Sequence, residues 1–202
     1  MPSPSRHLSA PERLARIEEA ATRLFAERGY SATTVEDIAR AAGVTKPMLY
    51  RHFESKQELC VALLTRTRDD LIAAPLARFA PATRNRRLDL ASMLDAWLGY
   101  IDQHRMGARL LFAPITGDPE VERVQRELHG RQRDTQIALL REFVPRARDV
   151  DLEPLGEAMR AALAAVALWW LDHPEAPREV PAAALLRLAA GVIGELERAT
   201  GS

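Results

Sequence analysis

TTVEDIARAAGVTKPMLYRHFESK, residues 33–56, contains two short helical patterns separated by one glycine. In the first pattern, Val35, Ile38 and Ala42 recur at the three- and four-residue spacing of a single helix face. Gly43 then permits a left-handed backbone turn, which residues with a Cβ adopt only at an energetic cost. The stretch therefore predicts two short helices that cross at small residues, which is the helix-turn-helix arrangement.

The second helix of this pair has a short mixed sequence, KPMLYRHF, whose side chains separate onto opposite faces. Thr45 is placed to cap its start, and Pro47 fits its first turn because the missing N–H has no helical partner there. Leu49 and Phe53 lie four residues apart and are predicted to be buried. The outward face then carries polar, basic and aromatic groups, namely Lys46, Pro47, Tyr50 and Arg51.

An outward face of this kind suits an approach to DNA. A major groove about 12 Å wide admits one helix, and Lys or Arg side chains pair with phosphate oxygens. Free backbone N–H groups at the helix starts near Thr34, Lys46 and Lys56 also favour anions. We therefore expect this segment to contact DNA.

The composition of the whole chain indicates an all-α fold with a substantial core. The chain has 202 residues, 47% of them hydrophobic, and it is rich in the helix formers Ala, Leu, Glu and Arg. The 28 basic and 28 acidic residues balance, so net charge selects no class of partner. A single cysteine, Cys60, excludes an internal disulfide, and there is no apolar run of about 18 residues. We expect a cytoplasmic protein without a membrane segment.

Side-chain caps and apolar spacing predict about nine helices. Three Ser/Thr-x-x-Glu sequences, which begin at Ser9, Thr33 and Ser55, have the form of a reciprocal cap and predict helix starts near 10, 34 and 56. Pro75 is expected to end the fourth helix, and residues 81–86 are expected to form a polar connection. The predicted helices span 10–28, 34–42, 45–53, 56–74, 88–105, 107–113, 118–144, 153–172 and 181–199.

Residues 33–59, TTVEDIARAAGVTKPMLYRHFESKQEL, closely resemble the DNA-binding signature of the TetR family of bacterial transcription regulators. The shared features are the Thr-Val-x-x-Ile-Ala pattern, the Ala-Gly-Val turn, the Leu-Tyr-x-His-Phe run and the following Ser-Lys. The resemblance implies an all-α fold of nine helices, with an N-terminal three-helix helix-turn-helix domain. On this plan the DNA-binding domain spans 11–71, with the helix-turn-helix at about 34–53, and a regulatory domain for ligand binding and dimerisation spans 72–202.

The resemblance assigns DNA contacts by position. The groove-facing positions of the recognition helix correspond to Thr45, Lys46, Pro47 and Tyr50. Positions that hold backbone phosphates correspond to His52 and Lys56, and a phosphate contact at the start of the second helix corresponds to Thr33 or Thr34. Arg6, in a Pro- and Ser-rich tail, is a further candidate for a DNA contact.

In the family, helices 5 to 8 enclose a small-molecule pocket, and the last two helices pair across a homodimer. Candidate lining residues combine apolar area with polar tips: Met93, Trp97, Tyr100, His104, Phe112 and Trp169. Trp or Met at helical spacing is more often ordinary core than the lining of a pocket, and both interpretations stay open. Arg105 and Arg109 would either recognise an anionic ligand or face solvent. The wide apolar faces of the eighth and ninth helices predict a homodimer.

We expect a ligand-responsive transcription regulator. It would be a repressor that binds a palindromic operator in double-stranded DNA as a homodimer and is released by a small-molecule inducer. The alternatives are a DNA-binding regulator with no small-molecule ligand, controlled by protein partners, or an activator. An enzyme is disfavoured, because the five histidines form no His-x-x-x-His pair and no catalytic motif is present. No cofactor and no metal are expected.

Overall fold

The computed structural model describes residues 9–77 and 90–200, and none of these residues lies in a strand. The all-α fold class predicted from the sequence is confirmed. The helices of the described part are α1 Ala10–Arg28, α2 Val35–Ala42, α3 Lys46–Tyr50, α4 Lys56–Ala77, α5 Leu90–Gln103, α6 Arg105–Phe112, α7 Pro119–Phe143, α8 Asp149–Asp172 and α9 Glu179–Thr200.

Side-chain caps fix several of the helix starts. At α1, the Ser9 hydroxyl accepts from the Glu12 N–H at 3.3 Å, and the Glu12 carboxylate accepts from the Ser9 N–H at 2.7 Å. The predicted reciprocal cap is therefore confirmed at this helix. At α4, the Ser55 hydroxyl accepts from the Glu58 N–H at 3.0 Å, whereas the Glu58 carboxylate accepts from the N–H of Glu54.

The cap of α2 differs from the predicted one by one residue. The reciprocal cap joins Thr34 to Asp37, whereas the sequence predicts Thr33 with Glu36. The Thr34 hydroxyl accepts from the Asp37 N–H at 3.1 Å, and the Asp37 carboxylate accepts from the Thr34 N–H at 3.3 Å. Two overlapping Thr-x-x-acid patterns compete here, and the second forms because the Thr33 side chain is buried.

α3 is shorter and α4 longer than predicted. α3 ends at Tyr50, because the N–H groups of His52 and Phe53 both bond to the Leu49 carbonyl (2.9 and 3.1 Å) and the chain turns. α4 continues through Pro75 to its last residue at position 77, so the predicted helix end before this proline is wrong. Proline removes one backbone donor, and the helix accommodates that loss near its end.

α8 begins at Asp149, four residues before the predicted start at Glu153, and its first turns include Pro154. Leu152 accounts for the longer helix, since it is fully buried in a small core against Leu140 of α7. Burying this side chain offsets the backbone hydrogen bond that the proline cannot make. The other described helix ends lie within two residues of their predicted positions.

One continuous core joins the N-terminal helices to the rest of the chain. Its fully buried members include Ile17 in α1, Leu49 in α3, Leu64 in α4, Leu111 in α6 and Val121 in α7. A second, smaller cluster lies where the end of α7 meets α8 and α9. The core therefore crosses the predicted boundary between residues 71 and 72, and that boundary stays a prediction.

Three predictions fall outside the described residues, namely those for Arg6, for the connection at 81–86 and for a helix start near Leu88. Within the ranges 9–77 and 90–200, every helix is too short or too polar to cross a membrane. In the same ranges, no three His, Cys, Asp or Glu side chains come together as metal ligands.

Candidate nucleic-acid interface

The exposed face of α3 lies at the end of a two-helix unit with a fixed turn. Gly43 joins α2 to α3 in the left-handed conformation (φ 66°, ψ 33°), and its N–H bonds to the Arg40 carbonyl at 3.2 Å. Thr45 caps α3 by accepting from the Met48 N–H at 3.4 Å. Leu49 is fully buried, so burial on one side fixes which side of this short helix faces outward.

The four residues predicted to face the DNA groove are all exposed, namely Thr45, Lys46, Pro47 and Tyr50. Lys46 forms an ion pair with Glu36 of α2, and its ammonium lies 5.9 Å from the centre of the Tyr50 ring. The hydrogen bond to Glu36 raises the pKa of Lys46 above its ordinary value, so the amine stays charged. A positive charge and an aromatic ring therefore share one exposed surface.

His52 lies in a cleft where the end of α3 meets the start of α1. The cleft has a volume of about 270 Å³, and it is lined by His52, Arg51, Ala10, Arg13 and Met48. His52 is half-buried and Arg51 is exposed. Guanidinium and imidazole groups both donate hydrogen bonds to phosphate oxygens, so this cleft suits the DNA backbone. The sequence leaves Arg51 open between solvent and phosphate, and the structure places it beside His52.

The two threonines predicted as alternative phosphate contacts have different environments. Thr33 is 1% exposed, and its hydroxyl donates to the carbonyls of Gly29 (2.8 Å) and Leu24 (3.2 Å). Thr34 is exposed at the start of α2. A phosphate contact by the Thr33 hydroxyl would require this side chain to leave the interior, so Thr34 is the candidate of the pair.

Lys56 is held by groups inside the protein. Its ammonium donates to the carbonyls of Tyr30 (2.9 Å) and Thr33 (3.0 Å), and it lies 4.0 Å from the centre of the Tyr30 ring. An ammonium group has three donors, and two are used here. Lys56 thus connects the start of α4 to the loop before α2. Its phosphate contact stays a prediction, and that contact would compete with these internal bonds.

Of the six residues predicted to line a ligand pocket, Trp97, Tyr100 and Phe112 pack in the main core cluster. The rings of Trp97 and Phe112 pack with their centres 5.9 Å apart. At the end of α5, the ring centres of Tyr100 and His104 are 4.3 Å apart. Burial raises the pKa of Tyr100 to about 12. Met93, also on α5, is half-buried.

Trp169 is 42% exposed and its ring stacks on the ring of His173, with the two centres 4.7 Å apart. The buried tryptophan is its neighbour Trp170, whose indole N–H donates to the Ala176 carbonyl at 2.9 Å. The rotation of α8 about its axis decides which of the two adjacent rings faces inward. Because the helix is apolar around most of its circumference, the sequence pattern does not show which side faces the core.

Arg105 and Arg109 both bind the C-terminal end of α8. The Arg105 guanidinium donates to the carbonyls of Trp170 and Leu171, each at 3.4 Å, and Arg109 forms a 2.5 Å ion pair with Asp172. Positive side chains at a helix C-terminus are favoured by its partial negative charge. In this conformation both arginines therefore connect α6 to α8.

Cys60 lies on α4 and is completely buried. Burial raises the pKa of its thiol to about 12, because the thiolate would lose its hydration. A thiol of this kind reacts slowly with oxidants, which agrees with a structural cysteine.

Sequence reasoning missed three residues that shape this surface: Glu36, Tyr30 and Asp118. Asp118 caps the start of α7, and it also accepts a hydrogen bond from the Tyr30 hydroxyl at 2.7 Å. These two residues are 88 positions apart, and neither carries a local signal of the contact. Glu36 has a local signal, since it lies in the first turn of α2, within the helix-turn-helix, and precedes Lys46 by ten residues.

Comparisons with known proteins agree with this geometry. Residues 17–63 match the family model described as bacterial regulatory proteins, tetR family. The chain is 38% identical over 105 residues to the HTH-type transcriptional activator FasR of Mycolicibacterium smegmatis, which covers 52% of this chain and 48% of FasR. It is 53% identical over 55 residues to the HTH-type transcriptional repressor KstR2 of Rhodococcus jostii, which covers 27% of this chain and 26% of KstR2.

A solved structure extends the likeness beyond the N-terminal helices. A TetR-like transcriptional regulator from Rhodococcus sp. RHA1 matches with a TM-score of 0.70 at 28% identity, over 88% of this chain and 93% of that one. The helix-turn-helix region of this chain, residues 17–63, is of the TetR-family type, and the rest of the chain shares its fold with this TetR-like regulator. The TetR family model spans most of α1, the α2–α3 unit and the first turns of α4, which contain the exposed face described above. The matched segments span about half the length of FasR and about a quarter of KstR2.

Proposed function

We propose that this chain is a DNA-binding transcriptional regulator that reads DNA with the exposed face of α3. The observation that carries the proposal is the two-helix unit with its buried Leu49, left-handed Gly43 and exposed Thr45, Lys46 and Tyr50. In a helix-turn-helix, base-edge contacts come from the first residues of the second helix, where Thr45 and Lys46 lie. Tyr50 lies one turn further along, with its ring centre 5.9 Å from the Lys46 ammonium. Thr34, His52 and Arg51 add donors that suit neighbouring phosphates.

The DNA-binding species in this proposal is a homodimer that pairs through α8 and α9. Among the described residues, five of the seven exposed large hydrophobic side chains lie on these two helices: Val150, Trp169, Val180, Leu186 and Leu188. An apolar surface of this kind favours a partner with the same surface across a two-fold axis. Two copies of α3 would then lie about 34–36 Å apart, which matches the half-sites of a palindromic operator.

We propose further that a small molecule controls this binding from the region between α5, α6 and α8. The paired rings of Trp97 with Phe112 and of Tyr100 with His104 offer apolar walls and polar tips on adjacent helices. A ligand that binds one arrangement of α4 and α6 more tightly shifts the population between DNA-competent and DNA-incompetent dimers. Native mass spectrometry of the purified protein checks this step, and a reproducible small-molecule adduct is the expected result. A dimer without any adduct favours control by protein partners.

Repression is the proposed output, because an occupied operator that overlaps a promoter blocks the polymerase. Activation is the second candidate. FasR, which matches this chain over 105 residues, is named as an activator, whereas KstR2, which matches over 55 residues, is named as a repressor. Transcription in vitro from a promoter that contains the operator separates the two outputs by the sign of the change when the protein is added. The named relatives are regulators, so an enzymatic role has no support from them.

Selection from random duplex DNA tests the DNA-binding proposal. The full chain is expected to enrich one palindromic sequence, with two half-sites centred about one helical turn apart. Footprinting should then show protection of successive major grooves on one face of the duplex. A pool that stays random after repeated rounds would contradict the proposed function.

A further inference from the structure

The loop between α1 and α2 packs against the loop between α6 and α7. The Tyr30 hydroxyl donates to Asp118 Oδ2 at 2.7 Å, and the Ser31 hydroxyl donates to the Thr116 carbonyl at 2.6 Å. These contacts join residues 85 and 88 positions apart in the chain. We call this group the Tyr30 junction, and it consists of Tyr30, Ser31, Lys56, Thr116, Gly117 and Asp118.

Asp118 uses its two carboxylate oxygens for two different contacts, one with the start of α7 and one with the loop between α1 and α2. Oδ1 accepts from the N–H groups of Glu120 and Val121 (3.1 and 3.2 Å), which caps the start of α7. Oδ2 accepts from Tyr30, and this bond lowers the pKa of Asp118 below its ordinary value. The carboxylate is therefore charged at neutral pH, and the Tyr30 bond is a charge-assisted one.

Tyr30 connects Asp118 to the starts of α4 and α2. The residue is 6% exposed, and its ring contacts the Lys56 ammonium at 4.0 Å. The same ammonium bonds to the carbonyls of Tyr30 and Thr33, and the next residue, Thr34, caps α2. One connected set of contacts thus runs from the start of α7 to the starts of α4 and α2.

The junction fits closely at Gly117. This glycine has φ +94°, a conformation that L-residues rarely adopt, and a Cβ there would lie 2.2 Å from the Ser31 hydroxyl oxygen. The close approach of the two loops therefore depends on the absence of a side chain at this position.

We propose that Asp118 is a positioning residue for DNA recognition, which rests on the proposed function. It does not touch DNA. Through Tyr30 and Lys56 it fixes the α2–α3 unit relative to α7, and hence relative to the second α3 of the dimer. A palindromic site requires the two recognition helices to lie at one fixed spacing. A dimer with a looser Tyr30 junction should therefore bind the palindrome more weakly and accept half-sites at other spacings.

Two substitutions each remove the hydrogen bond between Tyr30 and Asp118 and retain the neighbouring contacts. Tyr30→Phe keeps the ring beside Lys56. Asp118→Ser keeps a side chain that caps α7 as well as Asp does, but supplies no second oxygen for Tyr30. Asp95→Asn is the matched control, because it removes a carboxylate from an exposed 3.0 Å ion pair with Arg178, far along the chain from the junction.

The measurement is a double-mutant cycle on the affinity for the selected palindrome, at a temperature where circular dichroism shows every variant folded. Each single variant is expected to bind about tenfold more weakly, the scale of one hydrogen bond to a charged group, and the double variant no more weakly than the worse single one. Asp95→Asn should bind like the wild type.

A second readout separates positioning from plain stabilisation. The wild type should prefer the selected palindrome strongly over the same site with one central base pair inserted, and this preference should shrink in both junction variants. Lower melting temperatures with unchanged affinity and unchanged spacing preference would overturn the positioning role. If the wild type selects no DNA, the proposed function fails instead, so the two failures are distinguishable.

Discussion

Lys46 and Tyr50 are exposed because Leu49, between them in the chain, is fully buried. On a helix this short, one anchored side chain decides which neighbours face outward. The stretch LYRHF therefore divides among three environments: Leu49 and Phe53 in the core, Tyr50 on the open face, and Arg51 with His52 at the cleft near α1. Residue chemistry and helical spacing predicted the buried and exposed sides of this helix, whereas the cleft of Arg51 and His52 with α1 is visible only in the structure.

Replacing Thr33 with Val should lower the free energy of unfolding by about 1 kcal/mol, because the carbonyls of Gly29 and Leu24 lose a hydroxyl donor. The affinity of the folded protein for DNA should stay unchanged. Thr34→Ala should also lose about 1 kcal/mol, from the α2 cap, and should weaken DNA binding as well. Urea denaturation and binding to the selected DNA measure both effects. Weaker DNA binding by the folded Thr33→Val protein would contradict this assignment.

Prediction at the residue scale was limited by contacts between distant segments. Thr33 and Lys56 lie in the recognised signature, yet their polar atoms bond to carbonyls of the loop before α2. The Tyr30–Asp118 bond has no local pattern at all. A sequence motif specifies which residue types are present, whereas tertiary packing decides whether a given polar group faces DNA or the interior.

Among the helices, local side-chain contacts predict the starts better than the ends. Capping side chains predicted the starts of α1 and α4 correctly, because a cap is a contact over three residues. The predicted end before Pro75 and the predicted start at Glu153 were both wrong, since α4 passes through Pro75 and α8 begins before Pro154. The burial of Leu152 explains the second case, and burial is a property of the whole fold.

Gly43→Ala should destabilise the protein by about 1–2 kcal/mol, because the turn between α2 and α3 has φ 66°. The loss would come from backbone strain, since the nearest atom to a new Cβ is 3.9 Å away. Gly130→Ala is the matched control: this glycine lies inside α7 with open space around it, so alanine should stabilise by about 0.5–1 kcal/mol. Opposite signs in thermal denaturation are expected. A neutral Gly43→Ala would show that the turn is not fixed in this conformation.

At the scale of the whole molecule, the continuous core makes α4 part of both functional regions. Leu59, Leu63 and Leu64 of α4 are buried in the same cluster as α1, α6 and α7. Packed side chains and the Tyr30 junction therefore connect α6 and α7 to α4 and the α2–α3 unit. The sequence indicated two regions, and it did not reveal how tightly they are joined.

Leu188→Glu should convert the dimer to monomer, because a carboxylate would be buried against the partner in the proposed α8–α9 pairing. Met106→Glu is the control, since Met106 is a similarly exposed apolar residue on α6. Sedimentation velocity at micromolar concentration should give twice the chain mass for the wild type and the control. A Leu188→Glu dimer of unchanged stability would place the interface elsewhere.

The affinity of the Lys46→Ala/Tyr50→Ala variant for the selected palindrome tests the central claim, that the exposed face of α3 reads DNA. We expect the affinity to fall about a hundredfold or more, since each base contact contributes about 1–3 kcal/mol. Arg123→Ala also removes one positive charge, from an exposed ion-pair cluster on α7, and it should bind like the wild type. A double variant that stays folded and binds within about twofold of the wild type, well under 1 kcal/mol, would contradict the claim.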